Sequence, residues 1–225
     1  MPAKISKSVK ALVEKEYSFN IMLIVLGIYI FVLLPLVGHD VVEKITYLSF
    51  YCMMLSTGLP FMVRNKRFGL IALFTLLPVV FICIEFVLPA TWVRLTIDII
   101  IVFYFITLAW ILLMRVFSRT RNDRYRVQGA IVAYLLIALS FAILYHIIYL
   151  IDGPGSIKGL LSYSRREFVY LSLSTLTTIG YGDVTPISEM ARSLANLEAL
   201  TGQLYPAVLI ARLVALEINE ASKEA

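Results

Sequence analysis

The chain has 225 residues, 60% of them hydrophobic, and a mean hydropathy of +0.86. A soluble domain averages roughly 45–50% apolar residues, so the composition sets a soluble fold aside in favour of a membrane protein. The net charge of +5 does not point to nucleic acid, because the basic residues sit between apolar runs and form no single polar patch.

The first segment, 1–17, carries Ile5, Val9, Leu12 and Val13 at helical spacing among Lys4, Lys7, Lys10 and Lys15. That pattern fits an amphipathic helix lying at a membrane interface, with a solvated leader as the plain alternative. The apolar run that follows, Phe19–Val37, is too long for the core of a cleavable signal.

Six spans are predicted. They are Phe19–Val37, Ile45–Val63, Phe68–Leu88, Trp92–Met114, Val127–Ile151 and Ala191–Val214. Residues 18–114 then form a peripheral four-helix domain, 115–126 a basic linker, 127–214 a two-helix domain with a re-entrant segment, and 215–225 a short tail. Cys52 and Cys83 lie inside apolar runs and read as small buried hydrophobes.

Orientation follows from the basic residues. With the N-terminus inside, 14 of the 20 Lys and Arg residues fall on cytoplasmic segments. The exceptions are Lys44, Arg94, Lys158, Arg165, Arg166 and Arg192. Both termini are then cytoplasmic, in a multi-pass protein of the cell membrane, and the short loops suggest a prokaryotic (inner) membrane. Trp92 falls where an interfacial aromatic belt is expected.

Between the last two spans, Arg166–Leu176 reads as a helix too short to cross the bilayer. Thr177-Thr178-Ile179-Gly180-Tyr181-Gly182-Asp183 follows it. Gly180 and Gly182 permit positive φ, and alternating such angles turns successive carbonyls the same way. Inward-facing carbonyls can replace the hydration shell of a potassium ion. Irregular backbone at membrane depth must be buried in protein or line an aqueous cavity. One strand cannot encircle an ion, whereas four copies can, which implies a homotetramer.

Thr178–Gly182 resembles the T-x-G-Y-G selectivity-filter signature of potassium channels. The run Thr175–Pro186, TLTTIGYGDVTP, is similar to the pore loop of the six-transmembrane, voltage-gated-like channel superfamily. The close resemblance covers about Tyr125–Leu213. It implies an all-α membrane protein with a re-entrant pore helix and a filter loop around a central pore. It also implies K+ as the transported ion, bound by the carbonyls of Thr178, Ile179, Gly180 and Tyr181 and by the Thr178 hydroxyl, with Gly182 completing the filter. Asp183 lies at the outer mouth, either concentrating cations there or hydrogen-bonding behind the filter. Thr177, Tyr170, Ser174 and Glu198 are candidate filter supports. Many relatives carry a Trp pair where this chain has Tyr170 and Leu171.

In the sixth span Gly202 matches the hinge glycine of many relatives, and Pro206 removes a helical hydrogen bond. The two form either a gate hinge or a fixed bend. Gln203 and Ile210 are expected to line the cavity with Pro206. Glu198, ionisable inside a span, is a functional candidate with Ser174 as its expected contact, or a satisfied interhelical hydrogen bond.

The fourth span carries Arg94 and then Asp98, with no further basic residue before Arg115. Steep voltage sensing takes roughly 3–4 charges per subunit, so an arginine-rich sensor is not expected. Glu85, Arg94 and Asp98 are expected to form an ionic cluster, and His146 to be a hydrogen-bonded packing residue. Arg115, Arg119, Arg121, Arg124 and Arg126 either set topology or bind anionic lipid. The sequence has no P-loop, H-E-x-x-H or C-x-x-C motif, so no enzyme and no organic cofactor are expected. A weakly selective cation channel and a non-conducting membrane subunit are the rival readings.

Overall fold

The computed structural model describes residues 20–36, 46–47, 49–54, 80, 84, 90–117, 123–161 and 164–224. The expected interfacial helix 1–17 lies outside these residues, as does the third span apart from Val80 and Ile84.

An apolar sequence in lipid has no water to satisfy its backbone, so helix is the default. The described chain follows that rule. Helix α1, Asn20–Leu36, contains a π-turn at Tyr29–Leu33. Residues 49–54 of the expected second span are helical. Helices α2, Thr91–Val116, and α3, Asp123–Asp152, match the fourth and fifth predicted spans. Helix α4, Arg165–Leu176, is the predicted short helix, and α5, Glu189–Glu224, contains the sixth span. Three of these, within α2, α3 and α5, are long and apolar enough to cross a membrane.

α2 packs lengthwise on α3 of the same chain, and α3 packs in turn on α4 and α5. The core between α1, residues 49–54 and α2 is aromatic. Tyr29 stacks on Phe50 with centroids 3.6 Å apart, and buried Tyr104 donates to the Met54 carbonyl at 3.1 Å. A buried tyrosine hydroxyl needs such a partner. Trp92, Phe103 and Trp110 lie exposed along α2.

Arg126 is buried beside the start of α3, so it is not displayed for a lipid head group as the basic-linker reading supposed. Arg119 and Arg121, and the side chains of Arg115 and Arg124, lie outside the description. Cys52 is exposed, not buried as its apolar surroundings suggested. Cys83 and Glu85 fall outside the described residues.

Two short strands flank α4 and the loop in sequence. β1, Ile157–Lys158, pairs antiparallel with β2, Thr185–Pro186, placing Ile157 opposite Pro186 and Lys158 opposite Thr185. The amides of Ile187 and Ser188 also donate to the Ser156 carbonyl. The segment before α4 is thereby tied to the segment after the loop.

Candidate functional site

The loop 177–183 hangs from the C-terminal end of α4. Thr177 N–H donates to the Leu173 carbonyl and Thr178 N–H to that of Thr175. Ile179 and Gly180 both donate to the Ser174 carbonyl, at 2.9 and 3.1 Å. The Thr177 hydroxyl returns to the Leu173 carbonyl at 2.6 Å. Four successive amides therefore point back at the helix end. The peptides are trans, and in a planar trans peptide C=O points opposite to N–H. The carbonyls of Thr177, Thr178 and Ile179 thus face away from α4, on the open side of the loop.

The backbone angles explain how the chain manages this. Positive φ occurs at every second residue: 60° at Thr178, 57° at Gly180 and 80° at Gly182. Sequence reasoning anticipated the two glycines but not Thr178, since a β-branched residue resists this region. Residues 177–183 are all exposed in the single chain.

Behind the loop, Tyr170 serves two neighbours. Its ring stacks on Tyr181 at 6.3 Å with planes 5° apart, and its hydroxyl donates to Asp183 at 2.7 Å. That bond, with help from the Val184 amide at 2.9 Å, holds the Asp183 carboxyl below the usual carboxylate range. The same bond pushes the Tyr170 phenol up to about 12. Both readings of Asp183 start from this position, at the exposed rim and bonded behind the loop. Leu171 points inward and is buried.

Glu198 is buried, and its partners differ from the expected one. It accepts from Tyr145 of α3 at 2.8 Å and from Ser172 of α4 at 2.5 Å, while the Ser172 hydroxyl also lies 2.7 Å from the Ala138 carbonyl. Ser174 contributes through its backbone carbonyl instead, and its hydroxyl turns to Leu171. α4 advances about 100° per residue, so a two-residue difference moves the hydroxyl to the far side. Glu198 pins three helices together and does not touch the loop.

Gly202 is buried where α5 crosses the end of α4. A Cβ there would overlap the Leu176 carbonyl oxygen. Tyr134 donates to that same oxygen at 3.0 Å, and Tyr205 donates to the Ala130 carbonyl at 2.7 Å. Glycine at 202 is thus required for close approach. α5 runs unbroken through Pro206. Gln203, Pro206 and Ile210 share an exposed face of it.

Gly159 was missed by sequence reasoning. Its φ is +90°, and a Cβ there would overlap the Asp183 carbonyl oxygen. The signal available was a glycine in a polar turn, which is too common to single out. Tyr134, Tyr145 and Tyr205 were also missed. Tyrosines in otherwise apolar spans are the trace they leave.

Residues 131–218 match the family model described as ion channel. Protein LctB of Bacillus caldotenax is 39% identical over 88 residues, covering 36% of this chain and 64% of that protein. Protein LctB of Geobacillus stearothermophilus is 37% identical over 87 residues, with the same coverage. The alignment spans less than two thirds of either relative's length. No solved structure matches. The family match takes in most of α3, all of α4 and the loop, and most of α5.

Proposed function

We propose that the chain is one subunit of a homotetrameric, six-span channel conducting potassium passively down its electrochemical gradient across the cell membrane. The observation that carries this reading is the loop. Its carbonyls at Thr177, Thr178 and Ile179 turn away from the helix that holds its amides. Four such loops around an axis would present rings of carbonyl oxygens, the lining that can replace potassium's hydration shell. Thr178, Ile179, Gly180 and Tyr181 bind the ion in this reading, Asp183 stands at the outer mouth, and Gln203, Pro206 and Ile210 line the cavity below.

Two further features support it. The loop and most of α5 are exposed in the isolated chain, which leaves them for neighbouring copies. The C-terminal end of α4 carries the negative end of the helix dipole and favours a cation nearby. Arg94 and Asp98 share a helix and nearly cancel, so strong voltage gating is not part of the reading.

The test is the reversal potential of the purified protein in a bilayer, with potassium on one side and sodium on the other. A potential far from zero in the potassium direction, lost in Gly180→Ala, is the expected result. A value near zero replaces the reading with a weakly selective cation channel. Absence of current from a correctly assembled tetramer replaces it with a non-conducting membrane subunit.

A further inference from the structure

A buried charge cluster lies outside the loop, where three helices meet. Asp98 of α2 is fully buried. The starting expectation for it was a cluster with Glu85 and Arg94. Glu85 lies outside the described residues; the structure sets the Asp98 Oδ2 2.6 Å from His146 Nδ1 on α3 and its Oδ1 3.7 Å from Arg165 Nη2.

Arg165 is the first residue of α4. A cation there faces the positive end of the helix dipole, which is an unfavourable place for it. Two groups from the peripheral region offset this. The Asp98 carboxylate supplies opposite charge, and the Tyr47 ring lies 3.8 Å beneath the guanidinium. Charges interact more strongly in such a buried, low-dielectric setting than in water. A second route runs through His146, whose ring meets Phe168 of α4 edge-on at 5.1 Å. Tyr149 meets the same Phe168 at 5.6 Å. Phe168 is buried.

The placement follows from topology. Asp98 is seven residues inside the start of α2, and His146 six residues before the end of α3. At 1.5 Å per residue both lie roughly 10 Å below the outer ends of their helices. The first turn of α4 sits at that depth.

We infer that Asp98 is a positioning residue for the ion pathway: it ties peripheral helix α2 to the first turn of α4, so that a displacement of α2 is felt at the loop 177–183. This rests on the conduction reading for its functional half only. From Arg165 and Phe168 the route continues along α4 to Tyr170, which holds Tyr181 and Asp183, and to Ser174, which holds the amides of Ile179 and Gly180. The peripheral domain thereby acts on the outer, filter end of the pathway and not on the cytoplasmic end of α5. Asp98 touches no ion, and its effect passes through Arg165 and His146.

The test uses the full chain in lipid bilayers, with Asp98→Asn, Arg165→Gln, the double variant and the milder Arg165→Lys. The first readout is amide hydrogen exchange over 165–176, which needs no current. The second is the split between single-channel open time and unitary conductance. Asp98→Asn is expected to speed exchange in α4 and to change the open-to-closed ratio on the order of tenfold, within the range usual for coupled sites. Unitary conductance and reversal potential stay as in the wild type. The double variant adds little to either single one, and Arg165→Lys restores most of the effect. Wild-type exchange in α4 together with wild-type open times in Asp98→Asn would overturn the inference, as would faster exchange spread evenly over all helices. If the wild type carries no selective current while α4 exchange still responds to Asp98→Asn, the tether stands and the channel reading falls.

Discussion

α3 and α5 are both long enough to cross a membrane, but they treat their surfaces differently. In α3, 61% of the spanning window is buried within the chain, and in α5 only 11%. α3 is covered by α2 on one side and by α4 and α5 on the other. α5 meets its own chain through one side that includes Ala191, Leu194, Glu198, Gly202 and Tyr205, and leaves Leu197, Leu200, Leu204, Val208 and Val214 outside. A helix so apolar and so little covered has its contact surface reserved for something beyond the chain. In the proposed tetramer that is the neighbouring α5 helices and the axial cavity. The contrast also divides α5 in two. Its stretch through Tyr205 is fastened to α3 and α4, and the fastenings described above end one residue before Pro206.

The strongest way to break this comparison is to unfasten α5 at its tightest point. Gly202→Ala forces a methyl group into the Leu176 carbonyl, and neither helix backbone can step aside. Overpacking of this kind costs about 3 kcal/mol. A fall in the thermal midpoint of the assembled protein checks it, and an unchanged midpoint would show that α5 does not lean on α4 so closely. Glu198→Ala comes next. It leaves the Tyr145 hydroxyl buried without its acceptor, at a cost of about 1–3 kcal/mol. Glu198→Gln keeps an acceptor there, so denaturant titration should find it the milder of the two.

Leu204→Ala sharpens the comparison from the opposite side. Leu204 is exposed in the single chain, so the variant should leave the subunit fold intact and lower the fraction assembled, as read by native mass spectrometry. Tyr205→Phe, one residue on, should do the reverse. It costs about 1 kcal/mol in subunit stability through the lost bond to Ala130 and leaves assembly unaltered.

The smallest effect expected is a shift in pH dependence. Tyr170 keeps Asp183 ionised below the usual carboxylate range. A lowered folded-state pKa means that the carboxylate's contribution is present at neutral pH and lost as pH falls through the folded value. Tyr170→Phe raises that value, so the acid-side loss of conductance should begin at higher pH. An unchanged acid limb would show that the hydroxyl does not govern Asp183.

Much of this architecture is legible along the chain. The fourth, fifth and sixth spans, the short helix before the loop and the loop itself follow from apolar length, glycine placement and one dense motif. The physical reason is that lipid forbids unsatisfied backbone, so length and composition alone choose helix, and positive φ selects glycine residue by residue. Thr178 marks the limit of that logic, since its angle is imposed by bonds on either side of it and not by its own preference.

Partnerships across helices belong to another class. Nothing local says that Glu198 meets Ser172 and not Ser174, that Asp98 meets His146 and Arg165, or that Gly202 and Gly159 are needed for close approach to a carbonyl. Each depends on the rotation and depth of one helix against another, which packing sets and sequence spacing leaves open. Among the described residues, the sequence by itself determined which segments are helical and where the loop 177–183 lies. Only the tertiary structure decided what holds that loop in place, because a buried charge or hydroxyl must satisfy itself with whatever group the packing brings within about 3 Å.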